Sequence, residues 1–412
     1  LVYFKKGYTG EYPKEPPFTL SELEEIYPAA SAKSKEDEEF NERAHRAILR
    51  IQNLDPAYMA LWQHIMSVSL PDLRRNYENL NVSFDVWKGE SDVKPYINEM
   101  IDDLKERGVA YESQGALVVD IARDEDTKEL PPCIVRKSDG AAIYATSDLA
   151  TILDREKLYQ PDQYIYLADK RQELHFTQVF RTARKAGYVK PDTRMDYIGF
   201  GTMNGKDGKP FKTRQGGVMR LEYLLKEVED AVYKKIEENR TMEEEEARAT
   251  AKIVGLAAVK YGDLSNQAGK DYIFDVERFA SFEGNTGPYI LYTMVRIKSI
   301  LAKYKESGKG IKIAALTENT DREYSGSETD LMLAASRFAE IIEKAAEELA
   351  PHKICQYIYE LSNAFNSFYH ENRILAQEEE EKQAQWIALI TIVLRILSRC
   401  TDLLGFESPN RM

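Results

Sequence analysis

The chain has 412 residues, 43% hydrophobic and 30% charged, a balance that excludes a disordered or fibrous polymer and, at this length, predicts two or three packed units. Its three cysteines, Cys133, Cys355 and Cys400, stand far apart with no CxxC pair, which excludes the familiar zinc patterns and predicts a reducing, cytoplasmic setting. The most apolar run, 386–397, is too short to span a bilayer and contains Arg395, so no membrane attachment is expected.

The net charge of −13 at first argues against nucleic acid, but it is unevenly spread. From Arg136 to Arg220 stand 16 Lys/Arg against 10 Asp/Glu, a local +6 that leaves −19 elsewhere. A basic segment on an acidic protein suits a phosphate-bearing ligand bound on one face, although a chance scatter of solvated charge gives the same count.

The chain opens on LVYFKKGYTGEYP without an initiating methionine, as expected of a piece of a longer protein. Residues 20–110 read mainly as helices with short strands between. A Ser34 cap and an acidic first turn predict a helix over 34–51, and Asp55-Pro56 begins another. The run VSFDVW (82–87) alternates as a short strand would, and a helix over 93–107 is stopped by Gly108. From Arg136 the pattern turns α/β, with strands at 163–169 and 195–201 on either side of an amphipathic helix, 173–187, closed by Gly187. Strand, helix, strand at this spacing is a βαβ unit, hence a parallel pair. A Gly/Lys-rich loop and a helix from about Met219 follow.

After Glu243 nearly everything is helical. Thr286 caps a helix over 286–304 with Pro288 in its first turn; 305–327 reads as a mobile loop; helices are expected over 328–349, 351–375 and 380–404. The EEEE runs at 243–246 and 378–381 suit exposed first turns. The fold class is thus a Rossmann-like α/β parallel sheet with helical insertions, followed by an all-α bundle.

Three loops carry the chemistry. In SDGAAIYATSDLA (138–150), Tyr144 and Asp148 fall at i and i+4 on one helical face. A carboxylate beside a phenol can receive a planar guanidinium, though a surface turn uses the same pair. In ADKRQELHFTQ (168–178), His175 and Gln178 open a helix that follows a strand, where phosphate oxygens are stabilised, and Gln172 can bind an amino acid's ammonium or carboxylate. A buried structural histidine is the rival reading of His175. In GFGTMNGKDGKPFKTRQGG (199–217), glycines interleave with Lys206, Lys209, Lys212 and Arg214. Such a cationic loop can close over a triphosphate and stabilise departing pyrophosphate, or be a solvated hairpin; it lacks the Walker spacing.

Together RKSDGAAIYATSDLA, YLADKRQELHFTQVFRTARKAGY and GFGTMNGKDGKPFKTRQGGVMRL resemble class I, bacterial-type arginyl-tRNA synthetases. FDVWKGES (84–91), EGNTGPYILYTMVRI (283–297) and the ending LLGFESPNRM also match, in the family's order. The resemblance implies a catalytic domain over 1–280 and a helical anticodon-binding domain over 281–412. It implies ATP-dependent conversion of L-arginine to arginyl-adenylate, with Mg2+ accompanying ATP, and transfer to tRNA(Arg), by a monomer. Carried over by motif, Tyr144, Asp148, Gln172 and Glu90 bind arginine, while His175, Met203 and Lys212 serve ATP. Lys209, Lys212 and Arg214 take the catalytic, charge-stabilising role. Tyr289, Tyr292, Asn363, Asn366, Tyr369, Arg373 and Met412 are the candidate tRNA contacts, with core packing the rival role for each aromatic. No resident metal is implied.

Two departures qualify this. Phe211-Lys212-Thr213-Arg214 puts Thr where the second Lys of the family's KMSKS signature belongs. No HIGH-type segment is present, so half of an ATP site is expected to precede residue 1 and the piece alone to be inactive. One alternative, a class I synthetase for another amino acid such as cysteine, predicts zinc ligands that are absent here. Another is a non-catalytic tRNA-binding module that keeps the fold.

Overall fold

The computed structural model describes residues 18–52, 55–209, 220–239, 242–318 and 321–412. The chain divides into two compact units, 1–83 and 84–412.

In the first unit three helices follow one another: α1 (Leu20–Glu36), α2 (Glu38–Gln52) and α3 (Pro56–Asn79). A capping box starts α1, Thr19 accepting from Glu22 N while the Glu22 carboxylate accepts from Thr19 N at 2.7 Å. The helix expected to begin at Ser34 begins instead at Glu38. Asp37, with extended backbone (φ −126°, ψ 102°), breaks the chain there and its carboxylate accepts from Phe40 N. Asp55 caps α3 as expected.

The expected strand at 82–87 does not form. Phe84 and Trp87 are both exposed and pack edge to face at 5.3 Å instead of alternating between core and solvent. A 3-10 turn (Glu90–Val93) then leads into α4 (Lys94–Glu106), and Gly108 follows at φ +66°, which ends the helix cheaply.

Next comes a three-stranded antiparallel sheet, β1 (Tyr111–Ser113), β2 (Ala116–Val119) and β3 (Cys133–Arg136), in that order across the sheet. α5 (Tyr144–Leu158) packs against it. Then β4 (Gln163–Asp169), α6 (Glu173–Lys185) and β5 (Arg194–Phe200) form the expected βαβ unit, β4 and β5 pairing in parallel from Gln163↔Arg194 to Asp169↔Phe200. Leu104, Val119, Val135, Leu149, Ile152, Val179 and Ala183 join α4, the small sheet, α5 and α6 into one core.

A second parallel pair, β6 (Met203–Asn204) with β7 (Tyr272–Ile273), brackets α7 (Leu221–Asn239) and α8 (Glu244–Leu264). After the short α9 (Val276–Phe279) the chain is a bundle: α10 (Gly287–Glu306), α11 (Gly326–Ser336), α12 (Phe338–Glu347), α13 (Pro351–Glu371) and α14 (Glu380–Leu403). Thr286 caps α10, accepting from Tyr289 N. The single helix expected over 328–349 is two, broken at Arg337. The segment read as a mobile loop is tied down on both sides of residues 319–320: Arg322 pairs with the buried Glu328 and donates to Gln385, and Lys309 donates to Gln383. Tyr261, Ile290, Met294, Tyr357, Phe365 and Trp386 lie in one core that joins α8 to the bundle. Among the described residues no helix is long and apolar enough to cross a membrane.

Candidate active site and bundle groove

Ligands of parallel α/β sheets lie beyond the carboxyl ends of the strands. At the end of β4, Asp169 caps a 3-10 turn (Lys170–Gln172) through Arg171 N and pairs with the Arg171 guanidinium, whose hydrogen bonds hold its carboxyl at about 2. This turn sets Gln172 and His175 at the start of α6. Beside them opens a cleft of about 720 Å³. One face of α5 lines it at helical spacing, with Tyr144, Ser147, Asp148, Thr151, Asp154 and Arg155; Glu90 and Lys88 come from the segment before α4. Glu90, Tyr144, Asp148, Gln172 and His175, chosen from sequence, all line this one cavity.

Its polar groups are linked. His175 Nε2 donates to Asp148 Oδ2 at 2.6 Å, and the Ser147 hydroxyl donates to Glu90 Oε1 at 2.9 Å. Each carboxylate keeps acceptor capacity for a ligand. Asp154, 3% exposed, pairs with Lys88, whose hydrogen bond, reinforced by Tyr96, holds its carboxyl below the usual range. Arg155 Nη1 donates to the Tyr166 hydroxyl, and burial pushes that phenol up to about 12. Tyr166 and Phe176 line the cleft with their rings, and Phe176 stacks in turn on Tyr197 at 5.1 Å. Tyr144 is 75% exposed at the mouth. The result is a pocket in which the carboxylates of Glu90 and Asp148 stand beside the first turn of α6, with groups that suit a cationic head and polar groups for the rest of a ligand.

Gln178, also singled out, turns away and donates to the carbonyls of Pro131 and Pro132. Met203 lies in β6 and packs with Leu224, Val228 and Phe274, outside the cleft. Lys209 sits on the turn after β6, where its backbone N–H is held by Asp207 and its carbonyl accepts from Gly205 N. Lys212 and Arg214 lie outside the described residues. The crossing from β5 into this loop needs glycine at 201, because a Cβ there would stand 2.4 Å from the Lys270 carbonyl oxygen.

The sequence reading missed Lys88, Ser147 and Asp154. The signal for two of them was available, since the Tyr144/Asp148 face continues through 147, 151, 154 and 155.

The bundle carries a second groove, about 580 Å³, between α10, the end of α13 and the 3-10 turn Ile374–Ala376. Tyr292, Tyr369 and Arg373 line it, with Arg296, Lys303 and His370. The Arg296 guanidinium lies 4.7 Å from the Tyr292 ring centroid and 5.1 Å from that of Tyr369, fixed by Asn366 Oδ1 at 2.6 Å. Tyr289 and Asn363 sit behind, bonded to each other at 2.6 Å, and Asn366 donates to Tyr289. Met412 packs partly buried against the bundle core and does not line the groove. Lys298, whose burial lowers its pKa, holds the nearby carbonyls of Ser408 and Pro409.

A parallel βαβ unit with an acid-bearing cleft between β4, α5 and the start of α6, continued by a helical bundle with a basic aromatic groove, is an α/β ligand-binding domain joined to a helical domain. The family model "tRNA synthetases class I (R), catalytic domain" matches residues 1–276, and the "DALR anticodon binding domain" matches residues 290–412. The chain is 60% identical over 418 residues to the arginine–tRNA ligase of Agathobacter rectalis, covering 100% of this chain and 70% of that protein. It is 52% identical over 412 residues to the arginine–tRNA ligase of Alkaliphilus oremlandii, covering 100% and 69%. The crystal structure of arginyl-tRNA synthetase from Plasmodium falciparum superposes with a TM-score of 0.81 at 22% identity, covering 100% of this chain and 67% of that one. The chain belongs to the arginyl-tRNA synthetase family.

Proposed function

We propose that this chain carries the arginine pocket of an arginine–tRNA ligase, which activates L-arginine with ATP and transfers it to tRNA(Arg). The observation that carries this reading is the convergence of Glu90, Tyr144, Asp148, Gln172 and His175, from three stretches of chain, on one cleft between α5, β4 and the start of α6.

The guanidinium takes Asp148 and Glu90, planar acceptors matched to its fork of donors, with the Tyr144 phenol at the rim. An ammonium offers point charge without that fork, which gives the basis for rejecting lysine. Gln172, in the turn after β4, takes the α-amino or α-carboxyl end. His175, in the first turn of α6, faces the ATP side, where the helix N-terminus favours phosphate oxygens. Lys209, Lys212 and Arg214 supply cations for the charge that develops on departing pyrophosphate. Mg2+ arrives on the phosphates of ATP; among the described residues no group of three or more His, Cys, Asp or Glu gathers to hold a metal. The bundle over 281–412, with Tyr289, Tyr292, Asn363, Asn366, Tyr369, Arg373 and Met412, receives tRNA, and the protein acts as a cytoplasmic monomer.

Calorimetric titration with L-arginine, L-lysine as control, tests the pocket. Arginine binds and lysine does not, and Asp148→Ala weakens arginine by about a hundredfold, the cost of leaving a charged donor group unpaired. Equal binding of the two amino acids would overturn the guanidinium assignment.

A further inference from the structure

The Lys88–Asp154 pair lies in the wall of the cleft, yet nothing in the proposed chemistry uses it. The segment that carries Glu90 has no regular structure of its own before the 3-10 turn, since no strand forms at 82–87. Two side-chain contacts dock it on α5: Glu90 accepts from Ser147, and Lys88 reaches Asp154 seven residues further along the same helix. Seven residues are two helical turns, so both anchors stand on one face. Asp154 is nine-tenths or more buried, and the nearby Tyr96 phenol of α4 adds to Lys88 in favouring its charged form. A buried carboxylate held by an ion pair is a rigid anchor, and it adds to the single serine hydroxyl that holds the Glu90 carboxylate itself.

We propose that Lys88 is a positioning residue for the guanidinium site: its ion pair with Asp154 docks the segment 88–90 along α5 and so presents the Glu90 carboxylate to the arginine side chain next to Asp148. This deepens the proposed arginine pocket and rests on it. The pair also keeps the Lys88 cation occupied, so that it does not compete with arginine for Glu90.

The test is arginine and tRNA titration of the chain and its Lys88→Met, Glu90→Gln and double variants, with thermal unfolding alongside. Lys88→Met raises the arginine Kd about tenfold and leaves tRNA affinity unchanged. Because Lys88 acts through Glu90, the Lys88→Met/Glu90→Gln double variant binds arginine no more weakly than Glu90→Gln alone. Lys88→Arg, which can keep the ion pair, recovers most of the lost affinity. Lys88→Met leaves Asp154 buried and unpaired and can fail to fold. The Lys88→Met/Asp154→Asn variant removes both charges and must show the same arginine loss. Unchanged arginine affinity in either variant, or full additivity with Glu90→Gln, overturns the positioning role. Failure of the unsubstituted chain to bind arginine overturns instead the pocket assignment beneath it.

Discussion

Arg181 and Asp126 show how single residues hold the walls of the catalytic unit. Arg181, on α6, donates two hydrogen bonds to the Asp126 carboxylate at 2.6 and 2.7 Å and a third to the Ile121 carbonyl, fastening the connection between β2 and β3. These bonds hold the Asp126 carboxyl at about 2, well below its ordinary value of 3.8. The folded state therefore binds this proton less readily than the unfolded state does. The pair's contribution is complete above the unfolded carboxyl range and is lost as pH falls from about 4 toward 2. Urea unfolding across that window should show Asp126→Asn less stable than the unsubstituted chain at pH 7, with the gap closing by pH 2. A gap that stays constant with pH would mean that the pair contributes geometry and no linked proton.

Elements meet where side chains are missing as much as where they are present. A Cβ on Gly287 would stand 2.4 Å from the Ala257 carbonyl oxygen, so α10 and α8 touch backbone to backbone at the start of the bundle. The Tyr261 hydroxyl, on α8, donates to the Cys355 carbonyl of α13 nearby. Gly287→Ala has to move α10 or break this contact, and should destabilise the protein by about 1–3 kcal/mol, read from the urea midpoint; an unchanged midpoint would show that the helices part at no cost. Elements of this kind divide sharply in how well the sequence announces them. β4, α6, β5 and α10 carry their own period and caps, from Gly187 (φ +65°) to Thr286, and fall close to where the pattern puts them. β1 to β3 are three or four residues long, and their turn rests on Gln114 and Gly115 at φ +51° and +80°, too little chain to show a period. The break at Arg337 left no mark because that residue keeps helical angles, φ −76° and ψ −4°. In the cleft, the α5 face was legible because helical spacing links 144 to 148. The Lys88–Asp154 contact spans 66 positions and has no local signature.

At the scale of the whole molecule, the net charge of −13 says little about what the protein binds, because the two cavities sort charge by site. The cleft presents Glu90 and Asp148 to a cation, Asp154 being paired with Lys88; the bundle groove gathers Arg296, Lys303 and Arg373 beside Tyr292 and Tyr369, suited to an unstacked base and its phosphate. They share no lining residue, so substitutions in one should leave binding in the other intact. Arg296 is committed to two rings and Asn366, which makes it part of the groove's framework, whereas Arg373 lines the groove as an exposed side chain. Arg373→Ala should therefore weaken tRNA binding and lower the slope of log affinity against log salt by about one, the signature of a single lost phosphate contact. Arginine affinity, measured on the same sample, should not move. A weaker complex with an unchanged slope would place Arg373 against a base, and unchanged affinity would move the tRNA contact out of this groove.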